Sequence, residues 1–360
     1  MNTFFLDRLN SEPHALAFAG QSTPWPVALA DQSANPALDE ALHTHAAAAQ
    51  ALLYPVSAEL LATTGRPVDL FGFEPNPARL GAAAAASASV PGIALTQLGA
   101  LLDAAALGYN PAQAKPVAVL GHSQGVLAVH MVQAICEAGS IDAAAAKIDE
   151  ILAIATLIGV AGTRQARQLG LAARHGEATP MLSVKDITRA QVDALIERVD
   201  GARGPIAVAV TNSATHYVLS GYPEDLAAFG VEVAKEHKRQ AKLREEKVRG
   251  GRVFDPTLEY LDVTLPFHSP LMADAVSQAV AWAEACGINA DHARELAAEV
   301  LLNHVDWDAR VRDLMKSTDP SALWVLDFGP GNTVGKLFST VAQGTGVGVV
   351  EASTVADRGA

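Results

Sequence analysis

A short apolar segment, "PVAVLG" at 116–121, runs directly into the pentapeptide "GHSQG" at 121–125, and an alanine- and valine-rich stretch follows. The apolar run predicts a buried strand, and the stretch after Ser123 predicts a helix. A strand that turns at once into a helix leaves little room beside the turning residue, so glycines are needed at Gly121 and Gly125. The pattern therefore predicts a parallel α/β sheet with Ser123 raised above its end.

Ser123 in this setting is a candidate nucleophile. The start of the following helix favours negative charge, and the backbone N–H of Gln124 is a candidate oxyanion donor. A serine hydroxyl needs a base to attack at neutral pH. Among the eleven histidines, His268 in "LPFHSPLM" is predicted to end an apolar strand at the sheet's edge, although a satisfied core histidine is the alternative. His122 is expected to point to the other side of the turn, in a structural role.

The pattern changes near Thr179, where strand, helix, strand, strand and helix follow in order up to about residue 260. That order is most of a ferredoxin-like unit. We expect an α/β protein in which residues 1–175 and 262–360 form a large subdomain with a parallel sheet. Residues 176–261 would form an inserted ferredoxin-like small subdomain, of a size usual for a compact unit.

Charge and composition narrow the function classes. The formal net charge is −13 over 360 residues, which disfavours a nucleic-acid partner and an anionic membrane surface. No segment reads as a secretory signal or as the ~18 apolar residues of a membrane span, so we expect a cytoplasmic protein without a membrane partner. Cys136 and Cys286 lack metal-binding spacing, and we expect no metal. The basic segment Lys235 to Arg252 is either a solvated surface or a contact for an acidic partner or CoA phosphates.

Five motifs in this order, "AFAGQ", "GHSQG", "NSATHYVLSG", "PFHSPLM" and "FGPGN", resemble the acyl-CoA:acyl-carrier-protein transacylase family over essentially the whole chain. Within it, "GHSQGVLAVH", "KVRGGRVF" and "VDW" resemble the acetyltransferase domain of actinobacterial and fungal type I fatty acid synthases. The resemblance implies an α/β-hydrolase-like large subdomain and a dyad of Ser123 and His268. It implies a backbone carbonyl near Val300 that orients His268, and an oxyanion hole made by Gln124 and Gln21.

The resemblance also implies substrates and partners. An acyl group would pass from a CoA thioester through an acyl-serine to the phosphopantetheine thiol of an acyl carrier protein, with no permanently bound cofactor. Other domains of a fatty acid synthase would be further partners. Asn212 and Phe267 are assigned to the substrate-binding set, and for Asn212 an ordinary turn role is the alternative.

The kind of acyl group that is transferred can be inferred from the absence of a cation at one position of the sequence. Malonyl-transferring relatives carry an arginine on a later helix, because a buried carboxylate needs a cationic partner. Here the predicted helix is 142–162, its only cation is Lys147, and the arginine position aligns with Ile158. Leu157 and Ile158 would line an apolar pocket, so the expected donor is acetyl-CoA or another short uncharged acyl-CoA. The alternative is a shifted alignment in which Arg164 or Arg167 reaches the site.

Three other interpretations stay open: a malonyl or palmitoyl transferase of the same family, an α/β serine thioesterase, and a non-catalytic module of a synthase that keeps the motif. A serine hydrolase would place an aspartate and a histidine late in the chain, and no such pair closes this one. The Ser–His pair disfavours the non-catalytic module.

Overall fold

The structure is a computed structural model, and it describes Leu9 and residues 11–70, 85–171, 178–245 and 254–352. One sheet has four parallel strands in the order β2-β1-β8-β9. Its strands are β1 (His14–Phe18), β2 (Ala118–Gly121), β8 (Trp324–Asp327) and β9 (Gly348–Glu351). Parallel strands end at the same edge, so the segments after β1, β2 and β8 meet there: the Ala19 N–H donates to the Gly329 carbonyl at 3.0 Å.

Helices pack around this sheet. Those before β3 are α1 (Trp25–Ser33), α2 (Pro36–Leu52), α3 (Ser57–Thr64), α4 (Ala86–Ala106), α5 (Pro111–Ala114), α6 (Val126–Ala138) and α7 (Ile141–Gln168). Those after β6 are α10 (Ala273–Ala285), α11 (Ala290–Leu301), α12 (Trp307–Ser317) and α13 (Thr333–Val341). The predicted helix at 142–162 is therefore part of the longer α7, whose start is capped by the Ser140 side chain.

The second sheet has five strands in the order β6-β3-β5-β4-β7. Its strands and helices are β3 (Met181–Lys185), α8 (Arg189–Ile196), β4 (Ala207–Ser213), β5 (His216–Ser220), α9 (Pro223–Glu245) and β6 (Thr257–Tyr260). The first five elements follow the order expected from the sequence, and β6 completes the ferredoxin-like succession. The fifth strand, β7 (Val305–Asp306), comes from the part of the chain assigned to the large subdomain and pairs in parallel with β4.

The subdomain limits at 175 and 261 stay predictions, and 172–177 lie outside the described residues. The pairing of β7 with β4 is what the sequence division omitted. A two-residue strand carries no periodicity of its own, so only the fold reveals it.

The expectation that no segment has the length and apolar composition of a membrane span is wrong for helix α4. It is long and apolar enough to span a membrane by length and composition, yet 72% of its most apolar window is buried inside the protein. Gly92 and Gly99 explain that burial, because a Cβ at either one would lie within 2.4 Å of Trp25 or Gln32 side-chain atoms. Helix α4 thus packs closely against α1 as a core helix.

Candidate functional site

Ser123 lies in the turn between β2 and α6 with a φ of 55°, a left-handed conformation that is costly for a residue with a Cβ. The glycines around it are required sterically. A Cβ on Gly121 would lie 2.4 Å from the Val126 nitrogen, and one on Gly125 would lie 2.3 Å from the Phe18 oxygen. The predicted strand–turn–helix is therefore present, with the serine at its apex.

His268 is brought to this turn from the other side of the chain. Its Nε2 lies 2.7 Å from Ser123 Oγ, and both side chains are buried. Its Nδ1 lies 2.7 Å from the backbone oxygen of Asn303. A carbonyl oxygen only accepts, so Nδ1 carries the proton and Nε2 is left to accept the serine hydroxyl. This is the tautomer that a general base needs.

Burial is the main cause of the charge state of His268. It lowers the pKa of His268 to about 3, against a smaller raising effect of the bond to Asn303, and nearby His122, His304 and Arg310 lower it further. A buried imidazole with positive neighbours stays neutral at pH 7. His268 can therefore take a proton from Ser123.

Two expectations about this histidine need correction. The orienting carbonyl belongs to Asn303 and not to Val300, because Val300 lies inside α11 and the chain reaches His268 only after that helix ends at Leu301. The apolar segment before His268 is also not a strand: residues 261–268 form bends and turns after β6. The segment is apolar because it is buried, and Pro266 together with the φ of 56° at His268 is incompatible with a regular strand.

The two glutamines expected to form the oxyanion hole are adjacent. The Gln21 side-chain amide donates to the side-chain oxygen of Gln124. Gln124 is fully buried, and its own amide lies 3.5 Å from the Val90 carbonyl. The turn that carries Gln21 also lies against Ser123, since a Cβ on Gly20 would fall 2.9 Å from Ser123 Cβ. The structure thus brings Gln21, Gln124 and Ser123 together.

Asn212 links the second sheet to the nucleophile turn. Its side-chain oxygen lies 2.8 Å from His122 Nε2, and the His122 ring packs edge-on against Trp307. Asn212 is buried in β4, so the alternative of an ordinary turn asparagine is wrong. His122 thus bonds to Asn212, whereas Ser123 bonds to His268. The Asn212 amide also lies 3.4 Å from His216, whose pKa burial lowers to about 4.

The residues assigned to the acyl pocket are buried in one apolar cluster, which contains Leu157, Ile158 and Phe267. The three cations of α7 point elsewhere. Lys147 pairs with Glu150 at 2.6 Å, Arg164 donates to Gln278 at 2.9 Å, and Arg167 donates to the Thr63 carbonyl. In the alternative alignment through Arg164 or Arg167, both side chains are already hydrogen-bonded, to Gln278 and to the Thr63 carbonyl.

A cavity of about 560 Å³ lies beside α1, α4 and the end of β8, where Pro24, Tyr109, Asp327 and Gly331 line it. Ser123, His268, Leu157 and Ile158 are not among its lining residues, so the acyl-pocket role of Leu157 and Ile158 stays a prediction. Within the residues that the structure describes, no group of three or more His, Cys, Asp or Glu side chains could hold a metal ion.

Sequence reasoning missed two contributors to the site. Asn303 acts through its backbone, so its side-chain type gives no signal. Arg310 donates to the Gly121 carbonyl at 2.9 Å, although it lies 189 positions away in the chain. The motif "VDW" at 305–307, three residues before Arg310, is the one sequence signal near it.

The sequence is similar to a domain and to subunits of fatty acid synthases. A family model described as the fatty acid synthase central AT domain matches residues 180–260. The fatty acid synthase beta subunit TOXC of Cochliobolus carbonum is 27% identical over 308 residues, covering 74% of this chain and 14% of the relative. The beta subunit hexB of Dothistroma septosporum is 25% identical over 268 residues, covering 65% and 14%. The chain therefore spans about a seventh of these curated relatives.

Solved structures share the fold. MCAT from Mycobacterium tuberculosis superposes with a TM-score of 0.60 at 20% identity, covering 94% of this chain and 96% of that one. A malonyl-transacylase in complex with a type II PKS acyl-carrier protein superposes with a TM-score of 0.58 at 17% identity, covering 96% and 99%. These likenesses show the α/β fold of the transacylases. By its sequence matches, the chain is similar to the central AT domain and the beta subunits of fatty acid synthases, and its fold is that of the transacylases.

Proposed function

We propose that the chain transfers an acyl group from a CoA thioester to the phosphopantetheine thiol of an acyl carrier protein, through an ester on Ser123. The observation that carries the proposal is the 2.7 Å contact between Ser123 Oγ and a buried, neutral His268 whose other ring nitrogen is held by Asn303. A nucleophile, a base and an orienting group in contact are the parts that covalent acyl transfer needs.

The reaction has two half-reactions, acylation of Ser123 and transfer of the acyl group to the pantetheine thiol. His268 Nε2 accepts the Ser123 proton while Oγ bonds to the thioester carbonyl carbon, and collapse of the tetrahedral intermediate breaks the carbon–sulfur bond. The CoA sulfur leaves with the proton from His268. In the second half, His268 removes the proton of the pantetheine thiol, and the sulfur attacks the carbonyl carbon of the acyl-serine. The ester carbon–oxygen bond then breaks, and Ser123 Oγ leaves with the proton returned by His268. His268 ends each half neutral, the state that its burial favours.

The tetrahedral oxyanion would be held by the Gln124 backbone N–H and the Gln21 amide. Two observations support this role. Gln124 directly follows the nucleophile at the start of a helical segment, and the Gln21 amide is anchored on Gln124 through one of its two hydrogens. The other hydrogen stays available for the intermediate.

The proposed cargo is acetyl or another short uncharged acyl group. A malonyl carboxylate taken out of water without a cation would cost several kcal/mol. Lys147, Arg164 and Arg167 are engaged elsewhere, and position 158 is a buried isoleucine. The apolar surroundings of Leu157, Ile158 and Phe267 suit a methyl group and would limit hydrolysis by excluding water.

The proposed partners follow from the relatives. An acyl carrier protein is the partner of one structural neighbour, and the curated relatives are far longer synthase subunits. We therefore propose a carrier protein and other synthase domains as partners, with acetyl-CoA as donor and no permanently bound cofactor. Such a role would be carried out in the cytoplasm.

Intact-protein mass spectrometry after brief exposure to acetyl-CoA, malonyl-CoA or palmitoyl-CoA tests the proposal, with Ser123→Ala alongside. We expect a covalent acetyl adduct that is absent from the variant and passes to a holo-carrier protein faster than to water. Strong malonyl or palmitoyl loading would overturn the cargo assignment. Release of free CoA without a stable adduct or transfer would indicate a thioesterase, and no reaction at all would indicate a non-catalytic module.

A further inference from the structure

Arg310 donates a hydrogen bond to a backbone carbonyl rather than to a carboxylate. It lies on α12 with Asp308 and Asp313, and Asp306 caps the start of that helix, yet Arg310 Nη1 donates to the backbone carbonyl of Gly121 at 2.9 Å. The three carboxylates have other partners, which are the Ala309 N–H, the Arg312 guanidinium and the Lys316 ammonium. No carboxylate in the described part of the chain lies within ion-pair distance of Arg310.

The carbonyl that Arg310 holds points out of the sheet. Within the described residues, strand β2 lies at the edge of its sheet and pairs on one side with β1. The His122 N–H donates towards β1, to the Phe18 carbonyl at 2.9 Å. The Gly121 carbonyl belongs to the same planar trans peptide as that N–H, so it points the opposite way, to the open edge. Arg310 therefore completes the hydrogen bonding of the Gly121–His122 peptide, the second peptide bond before Ser123.

That peptide leads into the turn that carries Ser123. Ser123 holds a φ of 55°, and a strained residue keeps its conformation only when its surroundings over-determine it. On the inner side, β1 fixes the turn through Phe18 and the close approach of Gly125. On the outer side, the described structure offers Arg310 as the contact that fixes Gly121.

We propose that Arg310 is a positioning residue for the acyl transfer inferred above. It acts through the Gly121 peptide, which it anchors so that Ser123 Oγ stays within hydrogen-bond distance of His268. The proposal rests on the proposed function for its reaction, but the geometry concerns the nucleophile itself and applies to any electrophile that Ser123 attacks.

The charge of Arg310 can be tested separately, through the pH dependence of the acylation rate. His122, His304 and Arg310 are the charged or titratable neighbours that lower the pKa of His268, after burial itself. His122 and His304 are held by Asn212 and by the Val208 carbonyl, so Arg310 is the permanent charge among them. Removing that charge makes imidazolium easier to form, and the acidic limb of the rate profile must move to higher pH. Lysine at the same position would keep the charge and leave the limb in place.

The test compares Arg310→Gln and Arg310→Lys with Arg312→Gln. Arg312 is the matched control, because it lies on the same helix and pairs with Asp308 at the surface. The single-turnover rate of Ser123 acylation is measured across pH with acetyl-CoA and with acetyl-pantetheine, which lacks the nucleotide. Labelling of Ser123 by a fluorophosphonate probe is measured in parallel, since it reports the nucleophile without any acyl donor. Thermal unfolding checks that each variant is folded.

We expect Arg310→Gln to slow acylation by roughly 10-fold with both donors and to slow probe labelling similarly, as loss of a charged hydrogen bond implies. Arg310→Lys should recover part of the rate with an unshifted acidic limb, and Arg312→Gln should match the wild type. Wild-type rates in Arg310→Gln, or a loss confined to acetyl-CoA, would overturn the positioning role. If the wild-type protein labels with the probe but accepts no acyl group, the proposed function fails while the probe rates still decide the role of Arg310.

Discussion

Ser123 and His268 both adopt left-handed backbone conformations, with φ values of 55° and 56°, and their side chains meet at 2.7 Å. Two residues with costly backbone conformations, 145 positions apart in the sequence, are therefore in contact. Each puts a side chain where a regular strand or helix would not, and the glycines and buried contacts around them compensate for the strain. The predictions below test the parts of this arrangement.

The pH dependence of acylation is expected to be shallow on the acidic side. Burial lowers the pKa of His268 to about 3, so the base stays neutral where an exposed histidine, with its pKa of 6.5, would be protonated. The single-turnover rate should stay nearly constant from about pH 8 to about pH 5, while His268→Gln should lose about 10⁴-fold at every pH. An acidic midpoint close to 6.5 would show that His268 is solvated.

Glycine-to-alanine substitution should cost far more unfolding free energy in the turn at Ser123 than at an ordinary helix position. Alanine at Gly121 or Gly125 would bring a Cβ within 2.4 Å of backbone atoms that cannot move independently. Both variants should lose several kcal/mol of unfolding free energy, or fail to fold. The control is Gly230→Ala in α9, where the new Cβ meets only Leu258 at 3.6 Å and should stabilise the helix by up to about 1 kcal/mol. Chemical denaturation measures the unfolding free energy of all three variants, and equal effects would argue against the steric account of the turn at Ser123.

The bond between Asn212 and His122 should contribute to stability. Asn212→Leu leaves the buried Nε2–H of His122 without its acceptor, which costs about 1–3 kcal/mol. Burial is the largest influence on the pKa of His122, and it lowers that pKa, so the ring has no ready way to offset the loss by charging. A double-mutant cycle with His122→Phe isolates the pair in the unfolding free energy. A coupling energy near zero would contradict the link between the second sheet and the nucleophile turn.

Asp327 should make stability depend on pH in the direction opposite to most carboxylates. Burial raises its pKa to about 6 from 3.8, although the N–H groups of Gly329 and Gly335 partly offset that effect. The native state thus holds the proton more tightly, so this stabilisation is fully present below pH 3.8 and is lost as pH rises through about 6. Relative to Asp327→Asn, the wild type should lose about 3 kcal/mol of unfolding free energy between those limits. A pH-independent difference between the two proteins would contradict the raised pKa.

The sequence alone determined the local parts of the site. The tight turn at Ser123 follows from two glycines and an apolar run, because sterics within a few residues decide it, and the ferredoxin-like succession follows from periodicity in short segments. His268 could be named from its motif, but its setting could not, since buried irregular chain and buried strand have the same apolar composition.

The tertiary structure alone decided which groups complete the site. Asn303 contributes a backbone oxygen, which every residue possesses, so only the end of α11 selects it. Arg310 reaches Gly121 because β2 is an edge strand whose outward carbonyl faces α12, and strand order is a property of the whole chain. Steric constraints within a few residues can be deduced from the neighbouring residues in the sequence. Hydrogen-bond partners nearly 200 positions apart are determined by tertiary packing.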